Sequence, residues 1–299
     1  MKHVKAIYKR LFLLIKILIY RIKYKNNILL FRGAVITHNG QIVANNWGDD
    51  LNVYFSEMVL AKKLIPIDVD RLFFRNIDNV YLCIGSVLSW YNLDGKIIIG
   101  TGIMNPDEKI EGYPRKIVSV RGPKTREVLI NRGINCPMEY GDMALLLPLY
   151  YKPKAPINKE NPVIISHHGT NLDDAIEAVR DIQNKFDAKF VSMSEYSNWT
   201  DIIDNIVNAK FVLSESLHGL IVAETYGIPC AWVELKKHPE YWNFKFEDFY
   251  ESIGKVGEQS VKLYQEEYED IITEKVSSWK KSNINHAKIL QNILENAYQ

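Results

Sequence analysis

Cysteine is scarce in this chain of 299 residues: there are three, Cys83, Cys136 and Cys230, odd in number and far apart. That spacing excludes a disulfide framework and a cysteine-held metal cluster, and it fits a reducing compartment. No HExxH or paired Cys/His spacing is present, so no metal is expected. A GxxxxGK[ST] phosphate loop and a Gly-x-Ser-x-Gly nucleophile elbow are also missing, and no cysteine sits in a nucleophile setting. No unbroken apolar run reaches the ~20 residues of a membrane span. Lys16 interrupts the nearest candidate, which also spoils a signal-peptide core. Acid is absent from residues 1–48, which hold nine Lys/Arg; the rest of the chain has 28 basic against 36 acidic residues. A body of that sign excludes nucleic acid as a partner.

The basic arm has a geometry. On a helix of 3.6 residues per turn, Lys2, Lys5, Lys9, Lys16 and Lys23 form one stripe, and Leu11, Leu14, Ile15, Leu18, Ile19 and Ile22 cover the other side. Residues 1–27 are therefore expected to form an amphipathic helix lying on an anionic membrane surface, with its lysines toward the head groups. The alternative is a helix packed on its own protein or on a partner. Positive charge keeps such a segment on the cytoplasmic side, so the expected location is cytoplasmic and peripheral, on the inner face of the membrane.

From about residue 28, apolar strand-like runs alternate with amphipathic helices, the pattern of an α/β protein. Residues 28–150 read as one α/β domain, the proline-rich stretch 151–162 as a linker, and 163–299 as a second α/β domain with a helical tail. The expected fold is two Rossmann-like domains facing across a cleft. Its strands run into small-residue loops: Asn45–Asp50, Gly85-Ser86, Gly100–Gly102, Arg121–Pro123, Gly141-Asp142, Ser166–Asn171 and Ser214–Gly219. In open parallel sheets, ligands sit beyond the carboxyl ends of the strands.

The last of these loops is the most informative. Lys210–Leu213 reads as a buried strand, and Leu217, Leu220, Ile221 and Thr225 as a helix stopped by Gly227. Ser214 and Ser216 can cap the helix start, where free N–H groups attract phosphate or carboxylate. His218 adds a titratable group there, and Gly219 opens the backbone to a ligand. Arg121 is placed either to grip an anion bidentately or to pair with a nearby acid. Asp49, Asp50 and Asp142 are either loop caps or general bases. His167 and His168, adjacent on an extended segment, are expected to point opposite ways. Trp47, Trp90 and Tyr91 either stack on sugar rings or belong to the core.

Taken in order, Asn46–Asn52, Gly85-Ser86, Gly100–Gly102, Val120–Arg126, Tyr140–Asp142 with Ala144–Pro148, and Ser214–Pro229 resemble the polysaccharide pyruvyl transferase family over roughly residues 40–255. Asn243–Phe249 is similar to the tail of its exopolysaccharide ketal-pyruvate transferases. The resemblance implies a GT-B-like pair of domains and transfer of a pyruvyl group from phosphoenolpyruvate to a sugar of a bacterial surface polysaccharide or its lipid-linked precursor. Phosphoenolpyruvate is then the donor, and no cofactor is needed. Many members carry arginine two residues before the histidine, where this chain has Ser216. That departure shifts donor binding to Arg121 with Lys245, beside Ser216, Leu217 and Gly219. The resemblance makes His218, Asp49, Asp142 and Glu215 candidate catalytic groups, and Asn46, Trp47, Trp90, His167 and His168 candidate acceptor contacts. A nucleotide-sugar glycosyltransferase of GT-B type and a non-catalytic sugar-binding member of an assembly complex are the competing readings.

Overall fold

The computed structural model describes residues 42–67, 80–153, 161–170, 172–265 and 268–298, with 28–31, 35–36, 159 and scattered positions of the arm. Of the helix expected over 1–27, Ile7, Tyr8, Leu11, Phe12, Leu14, Ile15 and Leu18 are described; they are helical and exposed. The lysine stripe lies outside the described residues, as do 154–158 and 160 of the expected linker. Among the described residues, no helix is long and apolar enough to cross a membrane.

Two five-stranded parallel sheets organise the chain. The first contains β1 (Ile28–Phe31), β4 (Leu64–Ile67), β5 (Val80–Leu82), β6 (Ile97–Ile99) and β7 (Lys116–Ser119), in the order β4-β1-β5-β6-β7. The second contains β8 (Val163–Ser166), β9 (Lys189–Ser192), β10 (Val212–Ser214), β11 (Cys230–Glu234) and β12 (Val261–Lys262), in the order β12-β11-β10-β8-β9. A small antiparallel pair, β2 (Val35–Ile36) and β3 (Ile42–Val43), stands apart. The middle strands are short and mostly apolar because both faces are covered: Val80–Leu82, Ile97–Ile99 and Cys230–Glu234 are buried throughout, with Glu234 the one charged residue among them.

Counted within its own sheet, each set of strands runs 2-1-3-4-5, the doubly wound order in which the chain reverses direction between strands 1 and 3. In the second sheet that reversal lies between β8 and β10, which pair directly through Leu213 and Ile164. The loops leaving these two strands, 166–171 and 214–219, therefore flank one crevice. Helices α1 (Trp47–Leu60), α2 (Pro123–Asn131), α3 (Leu147–Tyr150), α4 (Leu172–Phe186), α5 (Asp201–Asn208), α6 (Leu217–Tyr226), α7 (Phe244–Ser252), α8 (Tyr268–Ser278) and α9 (His286–Asn296) complete the described elements.

The sheets are tied together by side chains rather than by chain continuity alone. Trp47 donates its backbone N–H to Met193 O at 2.9 Å and its Nε1–H to Trp199 O at 2.7 Å. Arg121, just beyond β7, meets Asp248 of α7 at 2.9 Å, and both side chains are fully buried. The carboxylate of Asp248 also accepts from the backbone N–H of Thr125 at 2.9 Å and its hydroxyl at 2.7 Å. It thus caps the start of α2, whose own cap residue, Gly122, has no side chain to do so. A Cβ on Gly122 would run into Asp248. Helix α9, near the end of the chain, packs back on the first sheet, with Asn292 Nδ2 donating to Val118 O at 3.3 Å and the Tyr81 hydroxyl donating to Ala297 O at 2.8 Å.

Removing one partner of a dry ion pair strands the other charge. Asp248→Asn is expected to lower stability by about 3–5 kcal/mol in urea denaturation, while the Arg121→Met/Asp248→Asn double variant, which removes the stranded charge and keeps an acceptor for Thr125, recovers part of that loss.

Candidate functional site

At the reversal point of the second sheet, the start of α6 is held open. Ser216 occupies the cap position with an extended backbone, but its side chain makes no capping bond. Ser214 Oγ is turned onto Ser216 instead, accepting from its N–H at 3.1 Å and donating to its carbonyl at 2.8 Å. Neither serine caps the helix as expected, so the first-turn N–H groups of Leu217, His218 and Gly219 remain without a side-chain acceptor, an arrangement that suits an anion. The absent side chain of Gly219 makes room for the Ser214 hydroxyl, with which a Cβ there would collide.

His218 projects from this turn toward the first sheet. Its ring lies against Gly48, where any Cβ would overlap it. Nε2 is buried, has no hydrogen-bond partner, and stands 3.9 Å from Asp142 Oδ2, which is equally without a partner. Asp142 Oδ1 is spent on the N–H of Ala144 at 2.8 Å, capping the turn Met143–Leu146. Asp49, in the first turn of α1, accepts from Asn46 Nδ2 at 2.7 Å. Its neighbour Asp50 is fully buried and takes the Tyr196 hydroxyl at 2.6 Å.

Burial sets the proton affinities here. It raises Asp142 to about 7, with the nearby Asp49 charge pushing the same way against the Ala144 bond and Arg121. It raises Asp49 to about 6, against the bond from Asn46. It lowers His218 to about 3, helped by the Arg121 and Lys245 charges, so the imidazole is neutral at physiological pH. The same burial lowers Lys245 to about 7, with Arg121 adding to the effect and the Glu215 and Asp49 carboxylates opposing it. Two carboxyl groups and an amine that titrate near neutrality in one buried cluster are what acid–base chemistry requires.

The cations divide the work differently from the expectation. Arg121 donates to Asp248, to Ser86 Oγ at 2.5 Å and to Ile103 O at 2.6 Å, and its side chain is 0% exposed. Gly102 makes room for the guanidinium. Arg121 is therefore a clasp between the two sheets, the acid-paired alternative of the sequence reading, and not the group that grips an anion. Lys245, on α7 one turn before Asp248, makes no ion pair among the described residues; its Nζ rests 3.3 Å from the centre of the Trp242 ring.

Other expected residues are placed as follows. Glu215 is saturated: it accepts from Thr170 Oγ1 at 2.5 Å, His238 Nε2 at 2.7 Å, and the N–H groups of Leu235 at 3.1 Å and His167 at 3.3 Å. Burial opposes its charge, but the His238 and Thr170 bonds hold its carboxyl below the usual range, so it is a fixed anion and not a base. Trp47 is core, with both its N–H groups spent across the sheets, and it has no free face for a sugar. Trp90 packs on the core of the first sheet. The His167 and His168 rings lie together, 4.1 Å apart, because the chain turns directly after β8 and does not stay extended. His167 Nδ1 accepts from the N–H of Gly169 at 3.1 Å, and burial lowers its proton affinity. His168 is exposed and Asn46 half-buried. A groove of about 640 Å³ lined by Glu195, Tyr196, Asp201 and Asp204 is separate, touching this cluster only where Tyr196 meets Asp50. Sequence reasoning missed His238 and Trp242; the three-residue spacing of Trp242 and Lys245 in a helical stretch was the one available signal.

Comparison with known proteins agrees with the order of the motifs. The family model described as "Polysaccharide pyruvyl transferase" matches residues 3–237. The match starts inside the basic arm and stops before Asn243–Phe249, so it begins earlier and ends sooner than the motifs indicate. "Uncharacterized protein L143" of Acanthamoeba polyphaga mimivirus is 25% identical over 218 residues, 70% of this chain and 71% of that protein.

An anion that needs the charged form of Lys245 binds well below pH 7 and loses affinity above it. Sulfate, whose charge is constant across the neutral range, is expected to bind with an affinity that falls ~10-fold per pH unit above about 7. Ionisation of Asp49 and Asp142 adds in the same direction. Calorimetric titration across pH checks this, and Lys245→Gln should remove most of the binding at every pH.

Proposed function

The chain belongs to the polysaccharide pyruvyl transferase family, and on that premise we propose that it transfers the pyruvyl group of phosphoenolpyruvate to two hydroxyls of a sugar in a surface polysaccharide or its lipid-linked precursor. The observation that carries this reading is a buried ammonium without a carboxylate partner among the described residues, near enough to His218 in the uncapped first turn of α6 and to Asp49 that their charges act on one another, together with two acids that titrate near neutrality. Phosphoenolpyruvate has two anionic groups, which Lys245 and the Leu217–Gly219 N–H groups hold. Asp142, protonated in a large fraction at pH 7, gives its proton to the methylene carbon and makes the adjoining carbon electrophilic. A sugar hydroxyl adds there and loses its proton to a base, for which Asp49 is placed. Phosphate then leaves with the carbon–oxygen electron pair, and the second hydroxyl closes the ketal and releases its proton. His218, neutral and 3.9 Å from Asp142, is the nearest group through which Asp142 could exchange its proton. The exposed His168 and half-buried Asn46 are the acceptor contacts that remain available.

Two sheets of the same doubly wound order, one on each side of the site, support a GT-B-like pair of domains divided within 151–162. The arm places the enzyme on the cytoplasmic face of the membrane, beside lipid-linked acceptors; its nine Lys/Arg without an acid and its exposed apolar residues support this.

Phosphoenolpyruvate-dependent release of inorganic phosphate, with appearance of a ketal methyl signal in the acceptor, tests the reaction; release of nucleoside diphosphate from a nucleotide sugar instead contradicts it. Asp142→Asn is expected to lower kcat by ~10²–10⁴-fold, with the fold intact by circular dichroism. Deletion of residues 1–27 is expected to abolish co-sedimentation with phosphatidylserine vesicles while leaving turnover of a soluble acceptor unchanged.

A further inference from the structure

The nearest partner of Lys245 is aromatic. Its side chain is almost wholly buried, at 3% residue exposure, and Nζ lies 3.3 Å from the Trp242 ring centre and 5.0 Å from that of Phe246. A buried ammonium ordinarily sits against a carboxylate, because desolvation is otherwise uncompensated. Here the ring quadrupole supplies the compensation, and it does so without neutralising the charge. A carboxylate in that place would compete with any anionic ligand; an indole does not.

The indole is itself held by its neighbours. His238 is stacked flat on it, with centroids 4.2 Å apart and planes 5° apart. His167 meets it edge-on at 4.6 Å. The Trp242 Nε1–H is buried and has no acceptor, so stacking rather than hydrogen bonding fixes the ring. His238 is in turn anchored by donating Nε2–H to the saturated carboxylate of Glu215 at 2.7 Å. The line Glu215, His238, Trp242, Lys245 thus runs from a fixed anion to an available cation.

We infer that Trp242 is a positioning residue which stabilises the Lys245 ammonium without pairing it, so that the anionic donor can take it from the ring, and that His238, clamped by Glu215, holds Trp242 in place for this. The inference rests on the proposed use of phosphoenolpyruvate and names how that site is kept ready for it. Preorganised charge of this kind acts on donor binding, because the cost of stripping a counter-ion is absent. Glu215, first read as a base, acts instead through two intervening rings.

The test is the pH dependence of phosphoenolpyruvate binding to the intact chain, followed by calorimetry in the wild type, Trp242→Leu, Trp242→Phe and His238→Gln. The other charged or titratable groups around Lys245 are Arg121, Asp49, Glu215, His167, His168 and His218, and all four proteins share them. The ligand's own titration is also common to all four, so a displaced midpoint reports on Lys245. Without the ring the ammonium is less favoured, and the midpoint in Trp242→Leu should move to lower pH by about 1 unit, with ~10-fold weaker binding at pH 7.5. Trp242→Phe, which keeps a weaker aromatic face, should fall between, and His238→Gln should shift in the same direction by less. Saturating donor should restore kcat to within ~3-fold of wild type in each variant, since the loss is in binding. If Trp242→Leu fails to fold, Trp242→Phe and His238→Gln decide the matter on the same midpoint. Wild-type binding with unmoved midpoints in the variants overturns this inference alone. Absence of wild-type binding overturns the donor assignment and this inference with it.

Discussion

Arg121 and Asp248, both fully buried and 2.9 Å apart, join the turn after the last strand of the first sheet to helix α7. Two charges withdrawn from water are costly, and an apolar pair of similar size is often at least as stable. What the ion pair adds here is geometry. Asp248 simultaneously caps α2 and orients Arg121, while Ser86 and Ile103 fix the rest of the guanidinium. Because Lys245 lies one turn earlier on the same helix, the clasp also determines where the available cation stands. His218 comes from the second sheet's side and Asp49 and Asp142 from the first's, and their meeting depends on the same joint.

Burial then does two opposite things with one cause. It makes the acids Asp49 and Asp142 hold protons longer and makes Lys245 release its proton sooner. The cluster is consequently leaner in charge than its residue types imply, and a bound anion would draw Lys245 further toward its charged form. Asp142 and His218 each keep one buried polar atom without a partner, on facing sides of the site. Unsatisfied groups of this kind destabilise a resting fold, and they gather where substrate is to supply the missing contact.

Much of this was legible in the primary structure, and the limits have physical causes. Short apolar runs bounded by glycine and aspartate marked the strands, since a strand covered on both faces has no polar side to confuse the pattern. The Ser214–Pro229 turn stood out because strand, loop and helix are all local. Arg121 was different: its partner is 127 residues away, and nothing nearby distinguishes a clasp from an anion grip. Glu215 and Trp47 misled for the same reason, each being consumed by bonds to residues distant in the chain. Gly219 was read as an opening, whereas it is occupied by a hydroxyl five residues back. The return of α9 to the first sheet has no local signature at all.

The central claim is that Lys245 and the open start of α6, with Asp142 alongside, receive the phosphoenolpyruvate anion, while Arg121 only holds the sheets together. A crystal structure with phosphoenolpyruvate bound tests it most directly. The account predicts anionic oxygens within hydrogen-bonding distance of Lys245 Nζ and the Leu217–Gly219 N–H groups, the methylene carbon facing Asp142, and the Arg121–Asp248 pair unbroken. A donor held by Arg121 after that pair has opened, or bound away from Lys245 altogether, would contradict it.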